Sequence, residues 1–118
     1  MKLIQIVNAL PSLQKLAAQE FTLQKLYNIK KLMGKLDEEL AFYNEQREKI
    51  YSKYSDVVDN QYVPRAQDIT KLNVELQELL NTEIEGEIKE VTLNINEDIK
   101  LSYNDLVALQ GFVEIEGE

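Results

Sequence analysis

The sequence contains no cysteine and no histidine. It therefore offers no thiol nucleophile, no disulfide, no Cys/His zinc site and no imidazole for acid–base catalysis. Its four glycines form no phosphate-binding loop, and no serine stands in a nucleophile-elbow motif. Because these absences remove most common catalytic designs, we expect a protein that is not an enzyme, with no catalytic residue, no metal site and no cofactor.

Long apolar runs are absent as well. None approaches the ~20 residues of a membrane-spanning helix, and the first residues lack the pattern of a signal peptide. The chain has 118 residues, of which 44% are hydrophobic and 29% charged. This size and composition are typical of one globular domain, so we expect a single domain over residues 1–118. We also expect no membrane association and a cytoplasmic location.

The charges are unevenly distributed along the chain. Residues 1–36 carry six lysines and one glutamate, a net charge of +5, whereas the remaining residues carry −13 and the whole chain −8. An acidic surface repels nucleic acid, so we expect no direct nucleic-acid binding. Two segments of opposite sign can instead attract each other, within one chain or between two copies.

The strongest pattern lies between about residues 22 and 54. Apolar residues recur there at alternating spacings of three and four, which predicts one long amphipathic helix with Thr22 as its N-cap. We call its apolar face the seam. The seam comprises Leu26, Ile29, Met33, Leu36, Leu40, Tyr43 and Ile50.

This helix is too long for a compact chain of this size. It would measure ~50 Å, whereas the compact chain has a diameter of roughly 35 Å. Either the helix breaks, most readily near Gly34, or its end packs against a second copy. We favour the second copy, and we predict a homo-oligomer that associates through the long helix, whose seam packs in the core against other helices or against a second copy.

Shorter elements flank the long helix. Residues 3–18 have helical spacing, and Pro11 either kinks this helix or lies in the first turn of one that starts at Asn8. A connection is expected over residues 56–64, because it contains turn residues and a proline. A third helix is predicted over about residues 66–81.

The period changes from helix to strand near the end of the chain. Alternating apolar residues predict a strand that pairs with Ile99–Leu101, which makes a small β-hairpin over about residues 88–101. Ser102 and Asp105 form a capping box for a short helix over about residues 103–110. The apolar tail that follows docks or adds a strand. Together these elements predict a mainly α fold of the α+β class, a helical hairpin or bundle around the long helix.

Arg47 interrupts the apolar seam between Tyr43 and Ile50. An unpaired charge is costly inside a protein, so Arg47 must meet a carboxylate, an anionic ligand or water. The simpler interpretation is an ion pair or an arginine that extends to solvent near the bundle end. The alternative is an anion pocket. Its candidate residues are Tyr43, Arg47, Tyr51 and Tyr54.

Several short segments, spread over nearly the whole chain, carry a resemblance to a known group of proteins. They are Asn8-Ala9-Leu10-Pro11 with Leu13 and Leu16, Lys35-Leu36 through Glu39-Leu40, Tyr43 to Arg47 with Ile50 and Lys53-Tyr54, and Ile99-Lys100-Leu101-Ser102 with Asp105-Leu106 and Leu109. In this order they resemble small uncharacterised helical proteins of phages and prophages of Gram-positive bacteria. The resemblance implies a viral origin, a bacterial host cytoplasm and no catalytic residues.

The overlong helix and the missing catalytic chemistry together favour a non-enzymatic phage accessory protein. It would self-associate and act by binding a host or phage protein. Two alternatives stay open. One is an inhibitor of a host defence system, either as an acidic decoy of nucleic acid or by sequestering an anionic nucleotide signal. The other is a virion or assembly component, such as a scaffold or chaperone.

Overall fold

The computed structural model describes residues 1–117 and has one long helix with shorter elements around it. In chain order these are α1 (Leu3–Ala17), α2 (Leu23–Tyr54), β1 (Ser55–Val58), β2 (Gln61–Pro64), a 3₁₀ turn (Ala66–Asp68), α3 (Ile69–Leu80), β3 (Val91–Asn94), α4 (Tyr103–Ala108) and β4 (Val113–Glu116). The predicted mainly α fold with a small β content is confirmed. None of these helices offers the long apolar stretch that crossing a membrane requires.

α2 begins where the sequence predicts. The Thr22 side chain accepts a hydrogen bond from the backbone N–H of Lys25 at 3.4 Å. The helix continues without interruption through Gly34, so the alternative of a break there is wrong. One glycine costs a helix only about 1 kcal/mol, which the flanking turns tolerate. The molecule is consequently elongated, with extents of 56 × 30 × 24 Å and a radius of gyration of 17.5 Å.

The chain itself covers part of the second half of α2. After Tyr54 the chain reverses direction, and the strands β1 and β2 pack on the last turns of α2. α3 then runs back along α2. Helix length alone leaves two alternatives, a broken helix or a helix end that packs against a second copy. The structure shows an unbroken helix whose second half is partly covered by elements of the same chain.

The antiparallel hairpin lies at residues 55–64 and not at the predicted residues 88–101. β1 pairs with β2, and the two residues between them, Asp59 and Asn60, have positive φ angles of 51° and 63°. Asp and Asn tolerate this left-handed conformation, and a two-residue turn of this kind matches the twist of hairpin strands. The predicted connection therefore contains two short strands.

β3 confirms the predicted strand, but its partner differs from the prediction. It pairs in parallel with β4, so that Val91 lies opposite Val113. The expected partner, Ile99–Leu101, forms no strand, and its two apolar ends are half-buried against the core. Parallel strands need a crossover connection, and α4 lies within it. The apolar tail thus adds a strand, which was one of its two predicted outcomes.

α1 begins at Leu3 and holds Pro11 in its interior. The alternative of a helix that starts at Asn8 is therefore wrong. Proline lacks the amide hydrogen, so one helical hydrogen bond is missing at this point. Pro11 lies on the exposed side of α1.

The hydrophobic core is concentrated at one end of the molecule. We call this the proximal end; it consists of α1, the first half of α2, β3, α4 and β4. Its most deeply buried apolar side chains are Leu3, Ile6, Ala9, Leu13, Leu16, Leu36, Leu109 and Phe112. We call residues 43–68 the distal end. In that segment no apolar side chain is fully buried.

Asp105 joins α4 to α1 at the proximal end. Its carboxylate accepts hydrogen bonds from Ser12 Oγ at 2.8 Å, Lys15 Nζ at 2.6 Å and the backbone N–H of Ser102 at 2.9 Å. Ser102 Oγ accepts in return from the N–H of Asp105, which confirms the predicted capping box. The Lys15 ammonium, then the Ser102 N–H and the Ser12 hydroxyl, hold the pKa of Asp105 well below its usual range.

Candidate functional site

Most of the seam lies inside the protein. Ile29 and Leu36 are buried, whereas Leu26 is 38% exposed. The half-buried members of the seam, which pack against the core, are Met33, Leu40, Tyr43 and Ile50. The seam is thus largely covered by elements of the same chain. A second copy would have to pack on a different surface of α2.

Arg47 lies on the line of the seam, but its side chain is exposed. Its guanidinium carbon is 4.8 Å from the centroid of the Tyr51 ring, which is a cation–π contact. Within residues 1–117 no carboxylate forms an ion pair with Arg47. Of the three predicted partners of Arg47, a carboxylate is therefore not observed within these residues, and water or a bound anion remains.

An open groove of about 440 Å³ lies beside Arg47. The groove is lined by Asn44, Arg47, Glu48, Tyr51 and Tyr62. Of the four predicted pocket residues, the structure brings only Arg47 and Tyr51 together. Tyr43 is half-buried against the core instead.

Tyr62 was missed because β2 was expected to be a connection. The pair Tyr62-Val63 after the Asp59-Asn60 turn is the sequence signal that indicates the strand.

Tyr54 belongs to a separate cluster that faces α3. Lys53 Nζ forms an ion pair with Glu75 Oε1 at 2.9 Å and lies 5.2 Å from the centroid of the Tyr54 ring. Glu75 raises the pKa of Tyr54, whereas Lys53 and then Tyr54 lower the pKa of Glu75. The carboxylate beside Tyr54 repels anions, so this tyrosine does not suit an anion pocket.

Arg65 holds the distal end together, although no sequence pattern singled it out. Its Nε lies 2.8 Å from an Asp68 carboxylate oxygen, and its Nη1 lies 3.2 Å from Asp56 Oδ1. Its Nη2 donates to the carbonyl of Lys53 at 2.7 Å. The hydrogen bond to Asp68 raises the pKa of Arg65 most, and the hydrogen bond to Asp56 raises it further. These bonds tie the end of α2, the hairpin and the 3₁₀ turn into one unit.

The hairpin presents exposed apolar side chains. Val57 is 66% exposed, Val58 52% and Val63 48%. β1 and β2 pair only with each other in the described part of the chain. Each strand therefore has one outer edge whose backbone groups lack a strand partner. Apolar residues on an open strand edge are typical of a surface that binds another protein.

Carboxylates are numerous on this protein, but they do not converge. A groove between α2 and the segment after α3 has four glutamates among its lining residues, namely Glu38, Glu39, Glu83 and Glu85. Nevertheless, no three acidic side chains within residues 1–117 lie close enough together to hold a metal ion. We therefore interpret these carboxylates as a solvated surface.

Comparison with protein families, curated proteins and solved structures finds no match to this chain. The resemblance to phage proteins consequently stays a prediction.

Proposed function

We propose that this protein is a non-enzymatic phage accessory protein that self-associates and binds another protein of the host or the phage. The observation that supports this proposal is the apolar, open-edged hairpin at the distal end. Val57, Val58 and Val63 are 66%, 52% and 48% exposed there, at one end of a molecule 56 Å long. Exposed apolar residues on a strand edge are normally avoided unless a partner covers them.

The outer edge of β1 is the more suitable of the two hairpin edges for a partner. In β2 the last residue is Pro64, which has no N–H to donate to an added strand. β1 contains no proline and carries two exposed valines. We therefore infer that the partner adds an extended segment along β1, so that backbone hydrogen bonds give affinity and pockets for its side chains give specificity.

The buried polar groups at the proximal end support a structural role for them and no catalytic one. Ser12 Oγ donates a hydrogen bond to Asp105, and that carboxylate is already paired with Lys15. A serine nucleophile needs a base that is free to accept its proton. Asp105 already accepts hydrogen bonds from Lys15 and from the Ser102 N–H, so its carboxylate is engaged in structural contacts and is not a free base for Ser12.

Sedimentation equilibrium of the purified chain tests the self-association. At tens of micromolar we expect a mass above that of the 13.7 kDa monomer. A strict monomer across this range would remove self-association from the proposed function and leave partner binding to be judged alone.

Paired lysine substitutions on the hairpin test the partner surface. We expect Val58→Lys with Val63→Lys to abolish the capture of a protein that the wild-type chain enriches from lysate of a phage-infected Gram-positive host. Glu114→Gln, an exposed change on β4, should retain that protein. The thermal midpoint should stay close to wild type for both variants, since all three side chains are exposed. Equal capture by wild type and the lysine variant would contradict the hairpin surface.

A second candidate function is the sequestering of an anionic nucleotide. The observation that favours it is Arg47, which lacks an ionic partner within residues 1–117 and stacks on Tyr51 beside Tyr62. Aromatic rings and a guanidinium are suited to a nucleobase and its phosphates. Glu48 lines the same groove, and its charge weakens such binding.

Thermal stabilisation by nucleotides tests the second candidate. A nucleotide present at 100 times its Kd should stabilise the folded chain by about 2.7 kcal/mol. Arg47→Gln should remove this stabilisation, whereas Lys49→Gln, on the same helix, should retain it. No stabilisation by any member of a panel of mononucleotides and cyclic dinucleotides would dismiss this candidate.

A further inference from the structure

One face of α2 stays exposed from the first turn of the helix to the last. Its residues follow each other at spacings of three, four or seven, which keeps them on one side of a helix. We call this face the outer stripe. It consists of Leu23, Tyr27, Lys30, Gly34, Ala41, Glu45, Glu48 and Ser52, and each of these residues is exposed. The stripe lies on a different side of α2 from the seam and is about 44 Å long.

The spacing of the outer stripe is unchanged when the stripe is reversed. If two copies of α2 are aligned antiparallel, with the centre between residues 37 and 38, each stripe residue meets another stripe residue. Leu23 then lies opposite Ser52, Tyr27 opposite Glu48, Lys30 opposite Glu45 and Gly34 opposite Ala41. A surface that is complementary to itself about a two-fold axis is the requirement for an isologous dimer.

The two halves of the stripe carry opposite charges. Lys30 and the neighbouring Lys31 make no ion pair within residues 1–117, and Lys31 Nζ lies 4.6 Å from the centroid of the Tyr27 ring. In the other half, Glu48 has no ion pair among the described residues, and Glu45 pairs only with Lys49. Both side chains of that pair are about two-thirds exposed, at 64% and 65%. These lysines and glutamates are therefore available to a partner.

We propose that the outer stripe is the contact between two antiparallel copies of this chain. The inference rests on the proposed self-association and specifies its surface. In this arrangement Lys30 of one copy faces Glu45 of the partner subunit, and the charges attract. A parallel arrangement would place Lys30 against Lys30 and Glu45 against Glu45, which is unfavourable.

Small residues at the centre allow the two helices to approach closely. Gly34 and Ala41 face each other across the axis, and a Cβ added at Gly34 would meet nothing within 4 Å in the single chain. Asp37 and Glu38 lie at the two margins of the stripe, where they remain exposed and solvated. A stripe of about 44 Å by about 10 Å is small for a specific interface. We therefore expect micromolar affinity.

Cysteine cross-linking tests the orientation, because the natural chain has no cysteine to interfere. We expect an oxidised mixture of Gly34→Cys and Ala41→Cys to form a mixed disulfide dimer, since these positions face each other across the axis. Each variant alone should cross-link much less, because identical positions lie seven residues apart, roughly 10 Å along the helices. Equal cross-linking of either variant alone would indicate parallel packing and overturn the inference.

Charge reversal tests the surface itself. Lys30→Glu with Lys31→Glu, and separately Glu45→Lys with Glu48→Lys, should each weaken self-association about tenfold or more. An equimolar mixture of the two variants should recover dimers, because each lysine again faces a glutamate. Arg47→Gln, on the same helix but outside the stripe, should associate like wild type. All of these variants are followed by sedimentation equilibrium, with circular dichroism as the check of folding.

The outcomes separate this inference from the proposed function. If the wild type dimerises and the charge-reversed variants dimerise equally well, the stripe is the wrong surface while self-association stands. If the wild type is a strict monomer at tens of micromolar, both fail. Recovery of the dimer in the mixture, together with the mixed disulfide, supports both.

Discussion

The proximal and distal ends of this protein are held together by different forces. The proximal end buries apolar side chains of α1, α2, β3 and β4 together with Leu109 and Phe112, and it encloses the Asp105 carboxylate with three donors. The distal end buries no apolar side chain in residues 43–68 and depends on the exposed bonds of Arg65. The difference indicates that stability resides at the proximal end, which leaves the distal end free to present a binding surface.

Truncation of the Phe112 side chain should lower stability more than any other substitution that tests the difference between the two ends. Phe112 is fully buried at the proximal end, so Phe112→Ala should lower the free energy of unfolding by about 3–5 kcal/mol. The matched distal change Val63→Ala, at a side chain 48% exposed, should cost no more than about 0.5 kcal/mol. Urea unfolding followed by circular dichroism measures both. Similar losses for the two variants would contradict the division into two ends.

Replacement of Asp105 by asparagine should have the next largest effect, and this effect should depend on pH. Lys15 and the other donors lower the pKa of Asp105 in the folded chain. The resulting stability is present above a pH of about 4, the pKa of an aspartate in the unfolded chain, and it is lost as the pH falls below that value. Asp105→Asn should therefore lower the thermal midpoint by several degrees at pH 7, by less than Phe112→Ala, and the gap to wild type should narrow toward pH 2.

The control for this pH dependence is an exposed carboxylate on β4. Glu114→Gln should follow the wild-type thermal midpoint across the same pH range, because Glu114 is exposed and forms no ion pair within residues 1–117. A constant gap between wild type and Asp105→Asn from pH 7 to pH 2 would show that the Asp105 charge contributes nothing to folding.

Replacement of Arg65 should have the smallest global effect and a local one at the distal end. Arg65→Gln removes the bonds to Asp56, Asp68 and the carbonyl of Lys53, so the hairpin should open more often. We expect amide hydrogen exchange in β1 and β2 to accelerate roughly tenfold, with little change in the midpoint of global unfolding. Lys49→Gln, which breaks an exposed pair on α2, should leave exchange unchanged. A large loss of global stability in Arg65→Gln would show that the distal end supports the core.

Elements with strong local signals were predicted well. The cap at Thr22 and the repeated apolar spacing located α2, and the Ser102–Asp105 capping box located α4. Elements that depend on partners distant in the sequence were predicted poorly. β3 was found from its alternation, but its pairing with β4 was missed because α4 separates the two strands in the sequence. The hairpin was missed because its short strands lack the alternation of apolar and polar residues that revealed β3.

The candidate site was predicted only in part, for the same reason. Arg47 and Tyr51 are one helical turn apart, so their contact follows from α2 alone. The separation of Tyr54 from them depends on Glu75 of α3, and the contribution of Tyr62 depends on the fold of the hairpin. Helix periodicity placed all four predicted residues near one another but did not indicate which neighbours each would meet.

The sequence by itself determined the long helix, its caps, its apolar seam and the opposite charges of its two halves, because each of these follows from residues close together in the chain. Only the tertiary structure decided that the seam is largely covered by the same chain, that Arg47 is exposed, and that β4 pairs in parallel with β3. Those features depend on contacts between residues that are far apart in the sequence. A local sequence pattern does not show how favourable the free energy of such contacts is.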